Sequence, residues 1–364
     1  MNDSNMSVLS VDKAVAQLKK AYCAVIKEKI PPKFLPSVML WGPPGVGKSQ
    51  GVRQLASEIQ AETGKSVCIT DVRLLLFNPI DLRGIPTANA DKTLAVWLKP
   101  KIFQMDESDC LVNILFLDEI SAAPQSVQAA AYQIALDRTV GEHRLPENCI
   151  VIAAGNRVTD RSVAYKMPKA LANRLCHIEI KSDFHSWKAW AVRNGINEKI
   201  TGYLSFRQNA LDMFEADDSL AFPTPRSWEM ASNILNAVSG NVDAVYPLIA
   251  GCVGLGTAIE FRTWVKVYEG LPSIEDIFAG KETIVPKQPD MLYAVISSMV
   301  AYAHKNKNDL TGIGNSIRYV LQMPPDFSMI LVKDYYAFEE EFKKKLIKLP
   351  ELAEWLKKCG KYLL

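Results

Sequence analysis

The sequence predicts an α/β fold in which a parallel five-stranded sheet is flanked by helices and followed by an all-helical region. Short apolar or β-branched segments alternate with helix-length segments up to about residue 182, and helical periodicity dominates after it. A glycine-rich loop joins the first apolar segment to a helix. Parallel strands covered on both faces read as short, nearly continuous apolar runs, which is the pattern here.

Five segments are expected to form the strands. They are Ser37–Trp41, Ser66–Leu74, Asn113–Leu117, Cys149–Ala154 and His177–Ile180. An amphipathic helix precedes them, with Ser10 as the predicted N-cap, and Ile30-Pro31-Pro32 ends it. We predict an α/β domain over residues 1–182, a helical lid over 183–270 and a helical extension over 271–364.

Composition excludes few classes of protein. The chain has 364 residues, a formal net charge of +2 and 23% charged residues, so nothing global favours nucleic acid or an anionic membrane as a partner. Seven cysteines without metal-ligand spacing predict reduced, mostly buried thiols. The polar N-terminus carries no signal-peptide pattern, and no apolar run is long enough to span a bilayer. A cytoplasmic protein is expected.

The segment from Gly42 to Ser49 fits the phosphate-binding pattern G-x-x-x-x-G-K-[ST] at every fixed position. Its glycines allow backbone N–H groups to close around phosphates, and a helix start adds its positive dipole end. Lys48 is expected to reach the β- and γ-phosphates of ATP, and Ser49 to bind Mg²⁺. The predicted nucleotide-binding residues are Gly42, Pro43, Pro44, Gly45, Val46, Gly47, Lys48, Ser49 and Gln50.

A second motif lies about 70 residues further on, where four apolar residues precede Asp118 and Glu119. Acids at the carboxyl end of a strand after such a loop form a Walker B pattern. We expect Asp118 to hold the Mg²⁺ ion and its water shell, and Glu119 to act as the catalytic base that polarises the attacking water. A solvated Asp-Glu pair is the alternative.

Three further polar residues are candidates. Asn156 ends an apolar segment, so it either positions the attacking water near the γ-phosphate or caps a turn. Arg174 precedes the last predicted strand and is suited to reach the nucleotide of a neighbouring subunit, although a surface arginine is the alternative. Arg226, at a helix start in the second domain, is expected to sense the γ-phosphate.

This ordered set of motifs resembles the AAA+ ATPases, and in particular the MoxR family with its NirQ, NorQ and CbbQ relatives within the dynein-related AAA subfamily. Residues 81–84 (Asp-Leu-Arg-Gly) resemble the family's D-L-x-G stretch. Residues 93–103 are similar to the end of its helix-2 insert, and residues 136–146 to its pre-sensor-1 hairpin. The resemblance covers about residues 10–270 and is weak beyond them.

The resemblance implies an ATP hydrolase that forms a ring, expected to be hexameric, with ATP between subunits and Mg²⁺ as cofactor. It implies remodelling or maturation of a protein client, and often a partner that carries a von Willebrand factor A domain on a separate chain. Arg157 stands where many relatives have proline, and either Arg157 or Arg161 could share the role expected of Arg174.

Two other functions stay open on the sequence. A DNA-directed AAA+ motor would be favoured by a basic patch interleaved with aromatic residues, and none is found. A non-hydrolysing nucleotide-binding scaffold would be favoured by loss of Lys48 or Glu119, and both are present.

Overall fold

The computed structural model describes residues 6–160, 165, 167–214, 219–282 and 284–359. The chain divides into two compact units, Met1–Ser182 and Asp183–Leu364. The first unit contains all of the strands found in the described residues, and the second unit is helical.

The first unit alternates strands and helices. Its strands are β1 (Ser7–Leu9), β2 (Val38–Trp41), β3 (Ser66–Arg73), β4 (Ile85–Ala88), β5 (Ala95–Leu98), β6 (Leu111–Asp118), β7 (Thr139–Val140), β8 (His143–Arg144), β9 (Cys149–Gly155) and β10 (Cys176–Ile180). Its helices are α1 (Val11–Lys27), α2 (Lys48–Thr63), α3 (Pro79–Arg83), α4 (Gln125–Asp137) and α5 (Lys169–Ala172).

The central sheet is parallel and has the strand order β1-β10-β2-β9-β6-β3. The five predicted strands are all present, each within one or two residues of its expected bounds, and the predicted fold class is confirmed. The sixth strand, β1, was not predicted. It is short and partly exposed, and it pairs with β10 in a register that joins Ser7 to Ile178.

Helices cover both faces of this sheet because its central strands are apolar on both sides. Ile114 and Phe116 face one core with α1 and α2, whereas Leu115 and Leu117 face a second core with α4. These four side chains are at most 1% exposed. Because the strands run parallel, their carboxyl ends, where the polar residues lie, share one edge of the sheet.

Two antiparallel hairpins lie outside the central sheet. Strands β4 and β5 pair Ile85 with Leu98, and strands β7 and β8 pair Val140 with His143. Strand β5 falls within residues 93–103 and the second hairpin falls within residues 136–146, two of the segments on which the family resemblance rests, whereas β4 follows directly after residues 81–84.

The second unit carries the remaining helices. They are α6 (Phe184–Arg193), α7 (Glu198–Phe206), α8 (Pro225–Ala237), α9 (Val242–Val253), α10 (Leu255–Val265), α11 (Ile274–Phe278), α12 (Pro289–Lys305), α13 (Leu310–Val320), α14 (Pro325–Tyr336), α15 (Glu340–Leu346) and α16 (Pro350–Cys359). One core gathers residues mostly between 187 and 264, and a second gathers residues mostly between 277 and 359.

One sequence expectation about a single residue is confirmed in position only, and one about the cysteines is wrong. Ser10 is the N-cap residue of α1, but its hydroxyl donates to the carboxylate of Asp12 and does not accept a backbone N–H of the helix. The thiols are not mostly buried, since Cys68, Cys110 and Cys176 are exposed. In the part of the chain that the structure describes, no helix is both long and apolar enough to span a bilayer.

Candidate functional site

The glycine-rich loop lies between β2 and α2, at the carboxyl edge of the central sheet. Its first residue, Gly42, donates its N–H to the carbonyl of Gly155 at the end of β9, at 3.3 Å. Val46 is 4% exposed and anchors the loop in the core beneath it. Pro43 and Pro44 form the rest of the turn before the buried valine.

The loop ends in a left-handed conformation that leads into α2. Gly45 lies at φ +84° and Gly47 at φ +99°, values that residues with a side chain rarely adopt. The first intrahelical bond runs from Gly51 N to Gly47 O, so the N–H groups of Ser49 and Gln50 precede the intrahelical pattern. This end of the helix suits an anion.

Four of the predicted residues, which come from three parts of the chain far apart in sequence, meet at this edge. The Ser49 hydroxyl donates to Asp118 Oδ2 at 2.8 Å. Lys48 Nζ donates to Asn156 Oδ1 at 3.1 Å, to the Pro43 carbonyl at 2.9 Å and to the Gly42 carbonyl. The sheet order explains the meeting, because β2, β9 and β6 are consecutive neighbours whose carboxyl ends share one edge.

Glu119 follows directly after β6. Its backbone N–H donates to Asp118 Oδ1 at 2.9 Å, so the aspartate accepts hydrogen bonds at both oxygens. The Glu119 side chain is exposed, and its backbone lies at φ +59°. A non-glycine residue in this region is uncommon, and such strain clusters at functional sites.

Arg157 lies next to Asn156 but is held inside the first unit. Its guanidinium contacts Asp160 Oδ1 at 2.6 Å and donates to Glu179 Oε1 at 2.7 Å. The two carboxylate side chains are 2% and 8% exposed, so this is a buried network. Arg161 lies outside the described residues.

Arg174 lies in the turn between α5 and β10 and is exposed. Within the described ranges its guanidinium makes no hydrogen bond or ion pair. Arg226 is exposed in the first turn of α8, in the second unit, behind the N-cap Thr224. Within the first unit, the structure therefore brings together the loop, Asp118 and Asn156, and among its described residues Arg174 makes no hydrogen bond or ion pair with them.

Two residues at the site were missed by sequence reasoning. The buried Ser121 hydroxyl accepts the backbone N–H of Asn156 at 2.8 Å, and the Gln128 side chain donates to the Ser121 carbonyl at 3.1 Å. No motif contains them, so only the fold could reveal them.

The residues present fit a nucleoside triphosphate with a magnesium ion. Ser49 and Asp118 offer adjacent oxygen ligands of the kind Mg²⁺ prefers. The left-handed loop and the start of α2 offer N–H groups for phosphate oxygens, and the Lys48 ammonium lies beside them. The strand, glycine-rich loop and helix are those of a P-loop domain, and the residues beside the loop are suited to bind a nucleotide.

Comparison with known proteins agrees with this class. Residues 37–177 match the family described as "ATPase family associated with various cellular activities (AAA)". This segment, which runs from just before β2 to the start of β10, is similar to that family and contains the glycine-rich loop, Asp118 and Asn156. A search of curated proteins gives no match.

Several solved structures resemble the chain weakly. They include a RuvB variant from Thermotoga maritima, with 16% identity, 81% of this chain and 86% of that chain covered, and a TM-score of 0.37. NtrX from Brucella abortus in complex with ADP has 14% identity, coverage of 89% and 68%, and a TM-score of 0.38. PCH-2 from C. elegans has 13% identity, coverage of 82% and 68%, and a TM-score of 0.35. Scores this low carry no conclusion about function.

Proposed function

We propose that the first unit binds Mg²⁺·ATP and hydrolyses it, and that a ring of these chains uses the energy to remodel a partner protein complex. The observation that carries the hydrolysis proposal is the 2.8 Å contact between the Ser49 hydroxyl and Asp118, at the edge where the glycine-rich loop and Asn156 also lie. Loop, acid and amide are the parts that phosphoryl transfer requires.

Each residue has a separate role in this proposal. Lys48 leaves its contacts with the loop carbonyls and binds the β- and γ-phosphates. Ser49 and Asp118 hold Mg²⁺, which when bound neutralises charge on the phosphates. Glu119 accepts a proton from the attacking water, and Asn156 orients that water.

Two substitutions separate binding from chemistry. Lys48→Ala should weaken ATP binding because it removes the ammonium group that is proposed to bind the negatively charged phosphates. Glu119→Gln should keep binding within about threefold while turnover falls by about 10²-fold or more, as expected for loss of a positioned base. Equilibrium binding of a fluorescent ATP analogue and phosphate release measure the two quantities. Equal loss of binding in both variants would contradict these roles.

The ring proposal rests on the exposed Arg174 and on resemblance to MoxR-type AAA+ ATPases, which suggests six subunits with ATP between them. Residues 183–270 would form the lid that carries Arg226, and residues 271–364 an extension built around the second helical core. A protein client is proposed, together with a separate chain that carries a von Willebrand factor A domain.

The client contact is proposed at the two hairpins. Ile85 and Leu98 in the first hairpin are 58% and 57% exposed, and Leu94 in its turn is 68% exposed. Apolar side chains grouped on an inserted hairpin are typical of a protein-binding surface. In a ring, these hairpins would face one side or the central channel and move with the nucleotide state.

A further inference from the structure

Ser121 lies between the carboxyl ends of β6 and β9, which carry the catalytic candidates Glu119 and Asn156. It lies two residues beyond Glu119 and is 1% exposed. Its Oγ accepts the N–H of Asn156 at 2.8 Å, while its carbonyl accepts the N–H of Tyr165 at 2.8 Å and the side-chain amide of Gln128 at 3.1 Å. One small residue thus joins the ends of β6 and β9 through its side chain, while its backbone carbonyl is held by Tyr165 and Gln128.

The turn that begins at Glu119 is fixed at several points. The Ala122 N–H donates to the Glu119 carbonyl at 3.1 Å, and the Ile120 N–H donates to the Ala154 carbonyl of β9 at 2.9 Å. Gln128 donates a second bond to the Ala123 carbonyl at 2.9 Å. These bonds hold the backbone of Glu119 in its left-handed conformation against β9.

The packing at this point leaves no spare room. A Cβ added to Gly155 would lie 2.8 Å from Ser121 Oγ and 2.9 Å from Met39 Cε. The backbone just before Asn156 therefore packs directly against the serine hydroxyl. A change in the Ser121 side chain should displace Asn156 before other residues of the site.

We propose that Ser121 is a positioning residue for ATP hydrolysis, one that fixes Asn156 relative to Glu119 through the Asn156 N–H. This role rests on the proposed hydrolytic function. Asn156 then presents its Oδ1 at 3.1 Å from Lys48 Nζ. Glu119 is held by the hydrogen bonds of the turn that follows β6. An attacking water that both side chains must orient depends on their relative position, and small displacements of reacting groups are costly.

The first test compares Ser121→Ala with Ser37→Ala. Both serines are buried in the first unit, but the Ser37 hydroxyl donates to the Ala135 carbonyl at the opposite end of the sheet. Ser121→Ala should lower kcat by about 10- to 100-fold with KM for ATP changed less than about twofold, because the lost bond positions a group and does not bind substrate. Ser37→Ala should keep the wild-type kcat. Thermal melting and binding of a fluorescent ATP analogue verify that each variant is folded.

A double-mutant cycle tests whether Ser121 acts through Asn156. In an Asn156→Ala background, the added Ser121→Ala change should cost less than about threefold in kcat, since residues that act as a unit are not additive. Costs that multiply would overturn the proposed route. Gln128→Met, which loses both donated bonds at nearly constant length, should lower kcat in the same direction if Ser121→Ala does not fold.

The outcomes separate this proposal from the proposed function. A wild-type kcat in Ser121→Ala, beside normal wild-type turnover, overturns the positioning role alone. Wild-type turnover no higher than that of Lys48→Ala overturns the ATPase function and the positioning role with it. A rise in KM without a fall in kcat assigns Ser121 to binding and also overturns the proposal.

Discussion

The catalytic candidate Glu119 is held in a strained backbone conformation. Its φ of +59° is costly for a non-glycine residue, on the order of 1–3 kcal/mol. The strain is maintained because the flanking residues are tied to β9 and to Asp118, as in the bond from Ile120 N to Ala154 O. The side chain itself stays exposed, so its carboxylate can turn toward a bound nucleotide.

Two of the arginines considered for contact with a neighbouring subunit's nucleotide differ in their environment: Arg157 is ion-paired inside the first unit, and Arg174 is exposed. The Arg157 side chain is 16% exposed and forms ion pairs with Asp160 and Glu179. Releasing it to reach another subunit would break its ion pairs with two buried carboxylates, which is strongly unfavourable. Arg174 is exposed, and reaching a neighbouring subunit would break no contact among the described residues. Arg174 is therefore the better candidate for an arginine finger, the residue that would contact the nucleotide of the neighbouring subunit.

Arg174→Ala tests this assignment. The variant should bind ATP normally but hydrolyse it about 10³-fold more slowly, which is the range for loss of an arginine finger. Mixed with Lys48→Ala chains, it should recover part of the activity, because each chain supplies what the other lacks. Arg53→Ala on the surface of α2 serves as a control, since that side chain is 56% exposed and pairs only loosely with Asp71. Absence of recovery in mixtures that exchange subunits would exclude a role in trans.

At the scale of elements, the two hairpins are joined through one residue. The Trp97 N–H of β5 donates to Glu142 Oε1 at 3.0 Å, and the Trp97 carbonyl lies 2.7 Å from His143 Nε2. Gly141 makes this approach possible, because a Cβ there would lie 2.6 Å from the Arg83 carbonyl. The turn of the short hairpin thus covers the outer edge of the longer one, so movement of one displaces the other.

Glu142→Ala tests this connection. Loss of the acceptor should raise hydrogen exchange of residues 95–98 by about tenfold, because the Trp97 amide then pairs only with solvent. ATP turnover should stay within about twofold of the wild type, whereas the difference in exchange between ATP and ADP states should shrink in the longer hairpin. Glu147→Ala, which removes a carboxylate that pairs with Lys33, is the control. Unchanged exchange at residues 95–98 would mean that the contact does not couple the hairpins.

The sequence predicts an element well when the signal lies within the element itself and poorly when the element depends on residues far away in the chain. Strands β2, β6 and β9 are predictable because they are continuous apolar runs, and the glycine-rich loop because its spacing is specific. Strand β1 is not, since its three residues gain their role from a partner about 170 positions further on. Ser121 is also unpredictable, because a buried serine and a turn serine are identical in a sequence.

At the scale of the whole molecule, the reactivity of the cysteine thiols can show which parts of the chain are buried. Cys68, Cys110 and Cys176 are exposed, whereas Cys149 is buried and burial raises its pKa to about 11. At pH 8 roughly one Cys149 thiol in a thousand is ionised, and the thiolate is the reactive form. Iodoacetamide should therefore modify the three exposed residues first, as peptide mass spectrometry over time would show. Labelling of Cys149 at the rate of Cys110 would contradict the described core.

The order of strands in the central sheet also constrains how the protein is made. Strand β2, which leads into the glycine-rich loop, lies between β9 and β10, and β10 ends at Ile180. A growing chain on the ribosome therefore exposes the loop long before either neighbouring strand exists, and β1 waits equally long for its partner. Pairings so distant in sequence close slowly. Nucleotide binding by the newborn chain has to wait until β10 has been synthesised, and until then its apolar strands depend on chaperones to prevent aggregation.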